Sequence, residues 1–518
     1  MCAKLKDNSK SIIGSLLFIA AIAGFIYTLR FTGGFDIWYD EVFSLSFAKY
    51  SFGDIAHFTA RDVHPPLYYF YLKLITGLVT GIFGKGSIYT AAKLASCLPW
   101  IGLLVLSFTY IRKRFSNFTA GLFMFLITLM PQIATYYLEI RMYSFALLLI
   151  TGHILVADRI LASSEEKAPG KGLWFLFFLL GIMTAYTQYY ACIATIGIYL
   201  GCGIYALFLK KGNENKKKIL MGVTVCALLS VAAYLPWLKV LKTQMENISG
   251  KYWIQPLTIR SIAGCVKFIT LPVVYAGKLP IISAGLIILA MAVYFFCWLY
   301  RSFRDKNPEQ FRLFMEMLLP LITVICSGFI LSIMGTPIFI YRYMIPALGG
   351  FWLFFAIAAD RVTDEKGIVR AVSLLLIIPF ILAGTLSFKG FSDEEAKKLY
   401  EETDARIRVD SIPTGSVIIT NFDHVTAVMG YYRPDCEVYL YEAEIDKLLP
   451  DMLESIRDDA RDETVLSLLD SGRSVYFYGS FNSREEIVAA WQEQGVNSAL
   501  LDSILIERYW INVYELHK

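Results

Sequence analysis

The chain has 518 residues, of which 56% are hydrophobic, 15% aromatic and only 18% charged, and its formal net charge is +4. Soluble domains carry about 25% charged residues, and a mean hydropathy of +0.53 therefore excludes an ordinary soluble enzyme. The apolar residues cluster in runs of roughly 17–23, long enough to cross a bilayer as helices. These features predict a polytopic α-helical membrane protein. The nine cysteines include no CxxC pair and fit buried apolar positions better than metal ligands.

Eleven of these runs are predicted to span the membrane. They lie near 11–29, 90–111, 118–136, 142–160, 172–190, 191–209, 219–241, 281–300, 314–334, 343–360 and 368–386. A further run, 66–84, is long enough to cross, but it carries Lys73 and three glycines. Such an amphiphilic segment is typical of a helix that lies in the membrane interface.

The charges of the connecting loops decide between eleven and twelve spans. Basic residues concentrate in the loops 112–114, 210–218, 301–306 and 360–370. If 66–84 is interfacial, all four loops face the cytoplasm, as the positive-inside rule expects; if it crosses, all four face outward. The sequence therefore predicts a multi-pass plasma-membrane protein with eleven spans, a cytoplasmic N-terminus and an outward-facing first loop, 31–89.

The segment 388–518 differs in composition from the chain before it. Strand-like runs at 416–420, 437–441, 474–479 and 510–516 alternate with helical patterns. Because this alternation is typical of α/β domains, we expect a transmembrane domain over 1–387 and a small extracytoplasmic accessory domain over 388–518. The segment 387–398 is expected to be the hinge between them.

The predicted outer loops hold most of the ionisable and aromatic motifs. These are WYDEVFSLSFAKY (38–50), DVHPPLYYFYLKL (62–74), YYLEIRMYS (136–144), TAYTQYY (184–190) and YRYMIP (341–346). Ionisable groups at membrane depth are costly and mark a functional site. We therefore expect a functional cavity that opens on the outer face.

In this order the motifs resemble those of GT-C glycosyltransferases, most of all the bacterial family 39/83 enzymes related to protein O-mannosyltransferases and lipid A aminoarabinose transferases. The resemblance covers about 11–385, and the DE…HPP pair is its most specific part. It implies a hexosyl- or pentosyltransferase that moves a sugar from a polyprenyl-phosphate donor to a protein, lipid or glycan acceptor outside the cytoplasm. Membrane lipid is an expected partner, and nucleic acid is not.

Asp40 is the candidate general base for the acceptor hydroxyl. Partial burial and the neighbouring charge of Glu41 are expected to raise the pKa of Asp40. Glu41 and Asp62 are placed in the catalytic set because nearby carboxylates stabilise a developing oxocarbenium ion. The alternative is that Asp40 and Glu41 only cap a short helix over 42–50, since acids favour helix N-termini.

Asp62 and His64 precede two prolines, which hold them at the entrance of the next helix. His64 is expected to contact substrate, either by orienting a carboxylate or by donating to phosphate; the alternative is an interfacial histidine. A zinc site is not expected. An oxygen-ligated divalent cation shared by Asp40, Glu41 and Asp62 stays open, and no other cofactor is indicated.

The donor phosphate requires a cation, and an arginine fork suits it. Arg342 resembles the family's carrier-phosphate arginine, with snorkelling to the interface as the alternative. Glu139 and Arg141 are expected to bind substrate or to form a structural ion pair. The remaining substrate-binding candidates are Tyr143, Gln188, Tyr341 and Tyr343. The sugar or lipid groove is expected to be lined by Tyr186, Gln188, Tyr189, Tyr190 and Trp253. An aromatic belt at the interface is the alternative, and it is favoured for Tyr189 and Tyr190.

Two other classes of protein were weighed against a transferase. A transporter or lipid flippase would also have many spans, but it would typically show paired repeats and charges near the bilayer centre, and the sequence shows neither. A scaffold for cell-wall assembly would not need the DE…HPP pair.

Overall fold

The computed structural model describes residues 2–34, 37–163, 169–208, 214–248, 254–272, 277–365, 367–457 and 459–518. The chain forms two compact units. The first, called the helical unit, comprises Met1–Arg30, Val63–Tyr68 and Lys93–Ser392. The second, called the mixed unit, comprises Phe31–Asp62, Tyr69–Ala92 and Asp393–Lys518. The first predicted outer loop thus belongs mainly to the same compact unit as the tail.

Helices make up most of the chain before the tail. In chain order they are α1 (Cys2–Thr28), α2 (Tyr39–Lys49), α3 (Phe52–Arg61), α4 (Leu67–Phe83), α5 (Ile88–Leu106), α6 (Arg112–Arg114), α7 (Asn117–Leu129), α8 (Tyr143–Ser163), α9 (Lys171–Ala185), α10 (Tyr189–Phe208), α11 (Glu214–Ile248), α12 (Arg260–Thr270), α13 (Lys278–Asp305), α14 (Pro308–Met317), α15 (Leu319–Met334), α16 (Ile345–Thr363), α17 (Ile368–Leu375), α18 (Ile378–Asp410), α19 (Asp423–Tyr432), α20 (Leu448–Met452), α21 (Asp462–Asp470) and α22 (Ser483–Glu493).

The polytopic helical prediction is confirmed, whereas the number of spans stays a prediction. Within the described residues, eight helical segments are long and apolar enough to cross a membrane, and the bent pair α14–α15 would make a ninth. Helices α7 and α9 also fall on predicted spans, but with 13 and 15 residues they are shorter than the about 20 that a crossing needs. Each of the eleven predicted spans therefore coincides with helix. The run 66–84 forms the 17-residue α4.

Close helix packing in the helical unit depends on small residues. A Cβ added at Gly121 of α7 would lie 1.9 Å from the carbonyl oxygen of Gly14 in α1, so only glycine permits this backbone approach. A Cβ at Gly349 of α16 would likewise lie 1.9 Å from the Thr151 hydroxyl oxygen of α8. Helix α16 is the most enclosed of the long helices, with 94% of its apolar window buried.

Several charged residues in the helical unit form a paired network around Asp158. The carboxylate of Asp158 in α8 accepts hydrogen bonds from Tyr110 at 2.8 Å, from Arg114 at 3.0 Å and from Arg312 at 3.2 Å. Arg114 also donates to Glu309 at 2.8 Å. Asp158 is fully buried and Arg312 is 1% exposed. Opposite charges therefore compensate each other where helices α8 and α14 meet.

The tail of the mixed unit contains a five-stranded sheet, which confirms the small α/β domain. Its strands are β1 (Val417–Thr420), β2 (Glu437–Leu440), β3 (Val475–Ser480), β4 (Asn497–Ile506) and β5 (Tyr509–His517). The strand order is β2-β1-β3-β5-β4. Strand β1 is parallel to β2 and β3, and β5 is antiparallel to β3 and β4. Phe477 and Trp491 lie in the core that one face of the sheet forms with its helices.

The predicted hinge at 387–398 is helical, and the change from the helical unit to the mixed unit falls within it, between Ser392 and Asp393. These residues lie inside α18, an uninterrupted helix of 33 residues. The segment has no proline and contains three Lys and two Glu, residue types that favour helix. An ion pair between Lys397 and Glu401, four residues apart at 3.7 Å, adds to this preference. The division into domains at 387/388 stays a prediction.

Candidate active site

Helix α2 carries the first two predicted catalytic acids. It begins at Tyr39, three residues before the predicted start at 42. The Glu41 carboxylate accepts a hydrogen bond from the backbone N–H of Trp38 at 3.3 Å, and Glu41 is only 3% exposed. This is the carboxylate half of a capping box. The capping alternative thus applies to Glu41, while Asp40 lies in the first turn and is half-buried.

Asp40 and Asp62 share an acidic environment with residues of the tail. Burial raises the pKa of the Tyr39 hydroxyl, and the negative charges of nearby carboxylates raise it further. These carboxylates belong to Asp446, Asp423, Asp40 and Asp62. Asp62 itself ends α3, where its backbone N–H donates to the Phe58 carbonyl at 3.0 Å. The two predicted acids therefore lie among acids that the sequence did not single out.

A metal site was left open for Asp40, Glu41 and Asp62. Among the described residues, no three or more His, Cys, Asp and Glu side chains converge as metal ligands would. Glu41 is moreover engaged with the N-terminus of its own helix. Within the described residues, Asp40, Glu41 and Asp62 therefore do not form a ligand set for the divalent cation that the sequence left open.

His64 belongs to the helical unit and pairs with an arginine. Its Nε2 lies 3.2 Å from Nη2 of Arg141, and the two residues are 9% and 3% exposed. A guanidinium can only donate, so Nε2 accepts and the proton of the neutral ring is assigned to Nδ1. The backbone N–H of Leu67 donates to the Tyr186 carbonyl at 3.0 Å, which fixes the segment after the prolines. His64 thus orients Arg141.

Arg141 lies in a tight turn that leads into α8. Its backbone N–H donates to the carbonyl of Glu139 at 2.7 Å, and Glu139 is half-buried in the same turn. Two residues later Tyr143 begins α8 with no exposed surface. The turn therefore places Arg141 and Tyr143 two residues apart, at the start of α8.

The YRYMIP motif meets this turn. The guanidinium carbon of Arg342 lies 5.8 Å from the ring centroid of Tyr143. Tyr343 stacks on Tyr190 with centroids 4.6 Å apart and an interplanar angle of 18°. Tyr341 packs differently: a Cβ on Gly264 of α12 would lie 2.1 Å from its hydroxyl oxygen. Tyr341 therefore covers α12, while its two neighbours in the motif join the cluster of predicted residues.

A cavity of about 820 Å³ lies within the helical unit. Its walls are mainly apolar side chains of α9, α10, α11 and α15, and His64, Gln188 and Tyr343 are among its polar lining. Gln188 is 2% exposed, and neither its amide oxygen nor its amide nitrogen has a hydrogen-bond partner among the described residues. Leaving such a buried group unsatisfied costs about 1–3 kcal/mol. Gln188 is therefore placed to bind a polar group inside the cavity.

Other aromatic residues of the cavity are tied together. The Tyr189 hydroxyl donates to the side-chain oxygen of Gln244 and accepts from the Trp237 indole at 3.1 Å. The predicted groove residue Trp253 lies outside the described residues.

Sequence reasoning missed the contribution of the tail. Asp423 and His424 follow β1 in the stretch NFDHV (421–425), and Glu507 lies in the turn between β4 and β5. The His424 ring stacks on Tyr39 with centroids 4.4 Å apart, directly before Asp40. An acid next to a histidine at the end of a strand was the only local signal for this contact.

No protein-family model matches this sequence, and a comparison with curated protein sequences finds no match. Among solved structures, that of ArnT from Cupriavidus metallidurans in the apo state aligns with a TM-score of 0.57 at 12% identity, covering 97% of each chain. The same protein bound to undecaprenyl phosphate aligns with a TM-score of 0.56 at 12% identity and the same coverage. ArnT is a lipid A aminoarabinose transferase of the GT-C fold. This chain has the GT-C fold over nearly its whole length.

Proposed function

We propose that this protein is a membrane glycosyltransferase that moves a sugar from a polyprenyl-phosphate donor to an acceptor on the extracytoplasmic side. The observation that carries the proposal is the cavity, which combines apolar walls with the unsatisfied Gln188 amide and with His64, whose ring contacts Arg141. The shared fold with ArnT, whose structure was solved with undecaprenyl phosphate, supports the same class of donor.

The donor would use the cavity for its isoprenoid chain and the arginines of the YYLEIRMYS and YRYMIP motifs for its phosphate. An isoprenoid chain is apolar and suits walls of Leu, Val and Ile side chains. The phosphate needs a cation that stays charged in a poorly solvated site, which an arginine provides. Arg342 and Arg141 are the proposed phosphate-binding residues. Gln188 and Tyr343 are proposed to contact the sugar or the phosphate ester.

The chemical step would be a single displacement at the anomeric carbon. The carboxylate of Asp40 takes the proton of the acceptor hydroxyl, whose oxygen forms the new bond to the anomeric carbon. The bond from that carbon to the phosphate oxygen breaks, and polyprenyl phosphate leaves with the electron pair. Asp62 would stabilise the oxocarbenium character that develops on the sugar. Glu41 is assigned a positioning role, because it caps α2 and holds Asp40 in the first turn.

The class of sugar, hexosyl or pentosyl, and the class of acceptor are finer proposals. Neither the cavity nor the acidic cluster selects one sugar. Protein, lipid and cell-wall glycan all offer the hydroxyl that Asp40 would deprotonate.

The orientation of the chain is also a proposal. Positively charged loops support a cytoplasmic N-terminus and an extracytoplasmic tail. Lys217→Cys and Ser471→Cys place thiols at exposed positions of the two regions. An impermeant thiol reagent applied to intact cells should label Ser471→Cys alone, and Lys217→Cys only after permeabilisation. Equal labelling of both in intact cells would contradict this orientation.

The function is tested with Asp40→Asn. This substitution keeps the shape but removes the base, and loss of a general base costs about 10²–10⁴ in rate. The assay follows label from a set of radiolabelled polyprenyl-phosphate sugars into envelope material of vesicles that lack the native protein. Asp54→Asn is the matched control, since Asp54 is an exposed acid in the first turn of the neighbouring α3. Transfer by Asp40→Asn within a few-fold of the parent would overturn the assignment.

A further inference from the structure

His424 of the tail contacts the start of α2 in the first outer loop, within the mixed unit. The His424 ring lies between two aromatic rings: it stacks on Tyr39 at 4.4 Å with an angle of 14° and on Phe422 at 4.7 Å with an angle of 9°. Three parallel rings thus run from the tail to the residue directly before Asp40. Stacked rings of this kind fix orientation as well as distance.

Glu507, an acid of the tail, contacts a ring nitrogen of His424. Oε2 of Glu507 lies 2.7 Å from Nδ1 of His424, and Glu507 is 9% exposed. The backbone N–H of Tyr39 also faces the Glu507 carboxylate and stabilises its charge. Tyr39 is the first residue of α2, and the N-terminus of a helix favours an anion. Glu507 therefore contacts both the histidine and the start of the helix that carries Asp40.

Glu507 and Arg508 both have positive φ, which is unusual for residues other than glycine and asparagine. Glu507 and Arg508 form a two-residue turn between β4 and β5, with φ of 50° and 70°. Two positive φ values define a type I′ turn, which strongly prefers Asn-Gly. A residue other than glycine in this region costs about 1–2 kcal/mol. Glu507 therefore has a backbone conformation that favours glycine or asparagine. Backbone strain of this kind is typical of functional sites.

The second residue of the turn is anchored separately. Arg508 forms an ion pair with Glu394 of α18 at 2.7 Å. This contact and the sheet pairing of Ile506 with Tyr509 fix the turn on both sides. Glu507 is therefore presented by a rigid element, as precise placement of another group requires.

We propose that Glu507 and His424 are positioning residues for Asp40, which they hold in place through Tyr39 and the N-terminus of α2. The inference rests on the proposed function, because it assigns to the tail a part in the transfer step. The tail is then a component of the active site and not an accessory domain. A displacement of about 1 Å at a reacting group can cost about a hundredfold in rate.

The test uses Glu507→Asn, Glu507→Gln and His424→Ala in the full-length protein. Asn suits a positive φ better than Glu, so the turn is kept, but its side chain is too short to reach His424. Glu507→Asn and His424→Ala should lower kcat about ten- to a hundredfold with the KM for the donor unchanged. Glu507→Gln keeps the length and the acceptor oxygen and should recover most of the rate.

Two controls separate positioning from folding and from the proposed function. His517→Ala removes the other histidine–glutamate pair of the tail, with Glu515 at 3.6 Å, and should leave kcat unchanged. In an Asp40→Asn background, Glu507→Asn should cause no further loss, because the positioned group is already gone. A higher donor KM, an additive loss in that background or a parent-like kcat for Glu507→Asn would overturn the inference.

A further readout does not depend on activity. Hydrogen exchange of the backbone amides of residues 37–50 should be faster in Glu507→Asn than in the parent and in His517→Ala. If no donor is used by the parent protein, the proposed function fails while this measurement still tests the contact. Unchanged exchange in 37–50 would refute the contact itself.

Discussion

Asp158 and Asp40 are both aspartates of a strongly apolar chain, but the charges around them are opposite. Asp158 is fully buried and accepts hydrogen bonds from Arg114 and Arg312, so its ionised form is compensated. Asp40 is half-buried and contributes, with other acids such as Asp423, to the negative charge around Tyr39. A carboxylate among cations stabilises a fold, whereas one among acids retains its ability to take a proton. The surroundings, and not the residue type, separate the structural carboxylate of Asp158 from the proposed catalytic carboxylate of Asp40.

The largest effect that tests this comparison is on stability. Asp158→Asn leaves the buried Arg312 and the half-buried Arg114 short of a counter-charge, and breaking a buried pair costs about 3–5 kcal/mol. We expect much less folded protein in the membrane and earlier unfolding by denaturant in detergent. The transfer rate per folded molecule should be unchanged, in contrast to Asp40→Asn.

Asp305→Asn is the control, since Asp305 pairs with Arg304 in an exposed position. It should accumulate like the parent, because exposed ion pairs contribute little to stability. If Asp158→Asn were as stable as Asp305→Asn, the network would not have the structural role assigned to it.

The next-largest expected effect is on donor affinity, and it tests Arg342. Arg342→Lys keeps the charge but loses the planar fork that binds two phosphate oxygens. Each charge-assisted hydrogen bond is worth about 1.5–3 kcal/mol, so donor affinity should fall by roughly ten- to a hundredfold. Binding is measured by titration of the purified protein with undecaprenyl phosphate. Arg260→Lys is the control, because it changes an exposed arginine and should bind as the parent does. Equal affinities of the two variants would contradict phosphate binding by Arg342 and favour its alternative role at the membrane interface.

Substitution of Gln188 is expected to have smaller effects, which are opposite for stability and for ligand affinity. Because its amide is unsatisfied in the cavity, Gln188→Leu should leave stability unchanged or raise it, while affinity for undecaprenyl phosphate or its sugar esters falls about tenfold. Gln244→Leu is the matched variant, since Gln244 accepts a hydrogen bond from Tyr189. It should lower stability. Opposite results for the two glutamines would contradict the assignment of Gln188 to ligand binding.

The smallest effect concerns pH. Burial by itself lowers the pKa of His424, but the hydrogen bond and charge of Glu507, with the charges of Asp423 and Asp40, raise it above its ordinary value. The folded state thus binds the proton more tightly than the unfolded state. The resulting stability is complete below about pH 6.5 and is lost as the pH rises through the raised value.

This loss should be about 1 kcal/mol or less, since the pair is partly open to water. It is measured as the midpoint of thermal unfolding between pH 6 and pH 8. His424→Phe keeps the stacked rings but cannot titrate, so its midpoint should vary less over this range than that of the parent. Parallel profiles for the two proteins would exclude the His424–Glu507 pair as the cause.

Much of the secondary structure could be predicted from local patterns. Each predicted span coincides with helix, and four of the five strands were found, but β4 was missed. Strand β4 is largely exposed and carries an irregularity between Leu500 and Asp502, so it lacks a clean alternation of buried and exposed residues. The change in composition at 387–398 coincides with the boundary between the two units, but the helical form of this segment was not expected, although its Glu and Lys residues favour helix.

Hydropathy by itself determined that this chain is a polytopic helical membrane protein, because the cost of exposing backbone in hydrocarbon makes long apolar runs helical whatever surrounds them. The motifs likewise made Arg141 and Arg342 candidates for the site, since a charge next to a long apolar run is conspicuous within a few residues of sequence. Only the tertiary structure decided that Glu41 caps α2 and that Gln188 is unsatisfied in a cavity. Only the tertiary structure also brought His424 and Glu507 to Tyr39. These contacts join residues nearly four hundred and more positions apart, and no local pattern encodes which distant side chain will meet which.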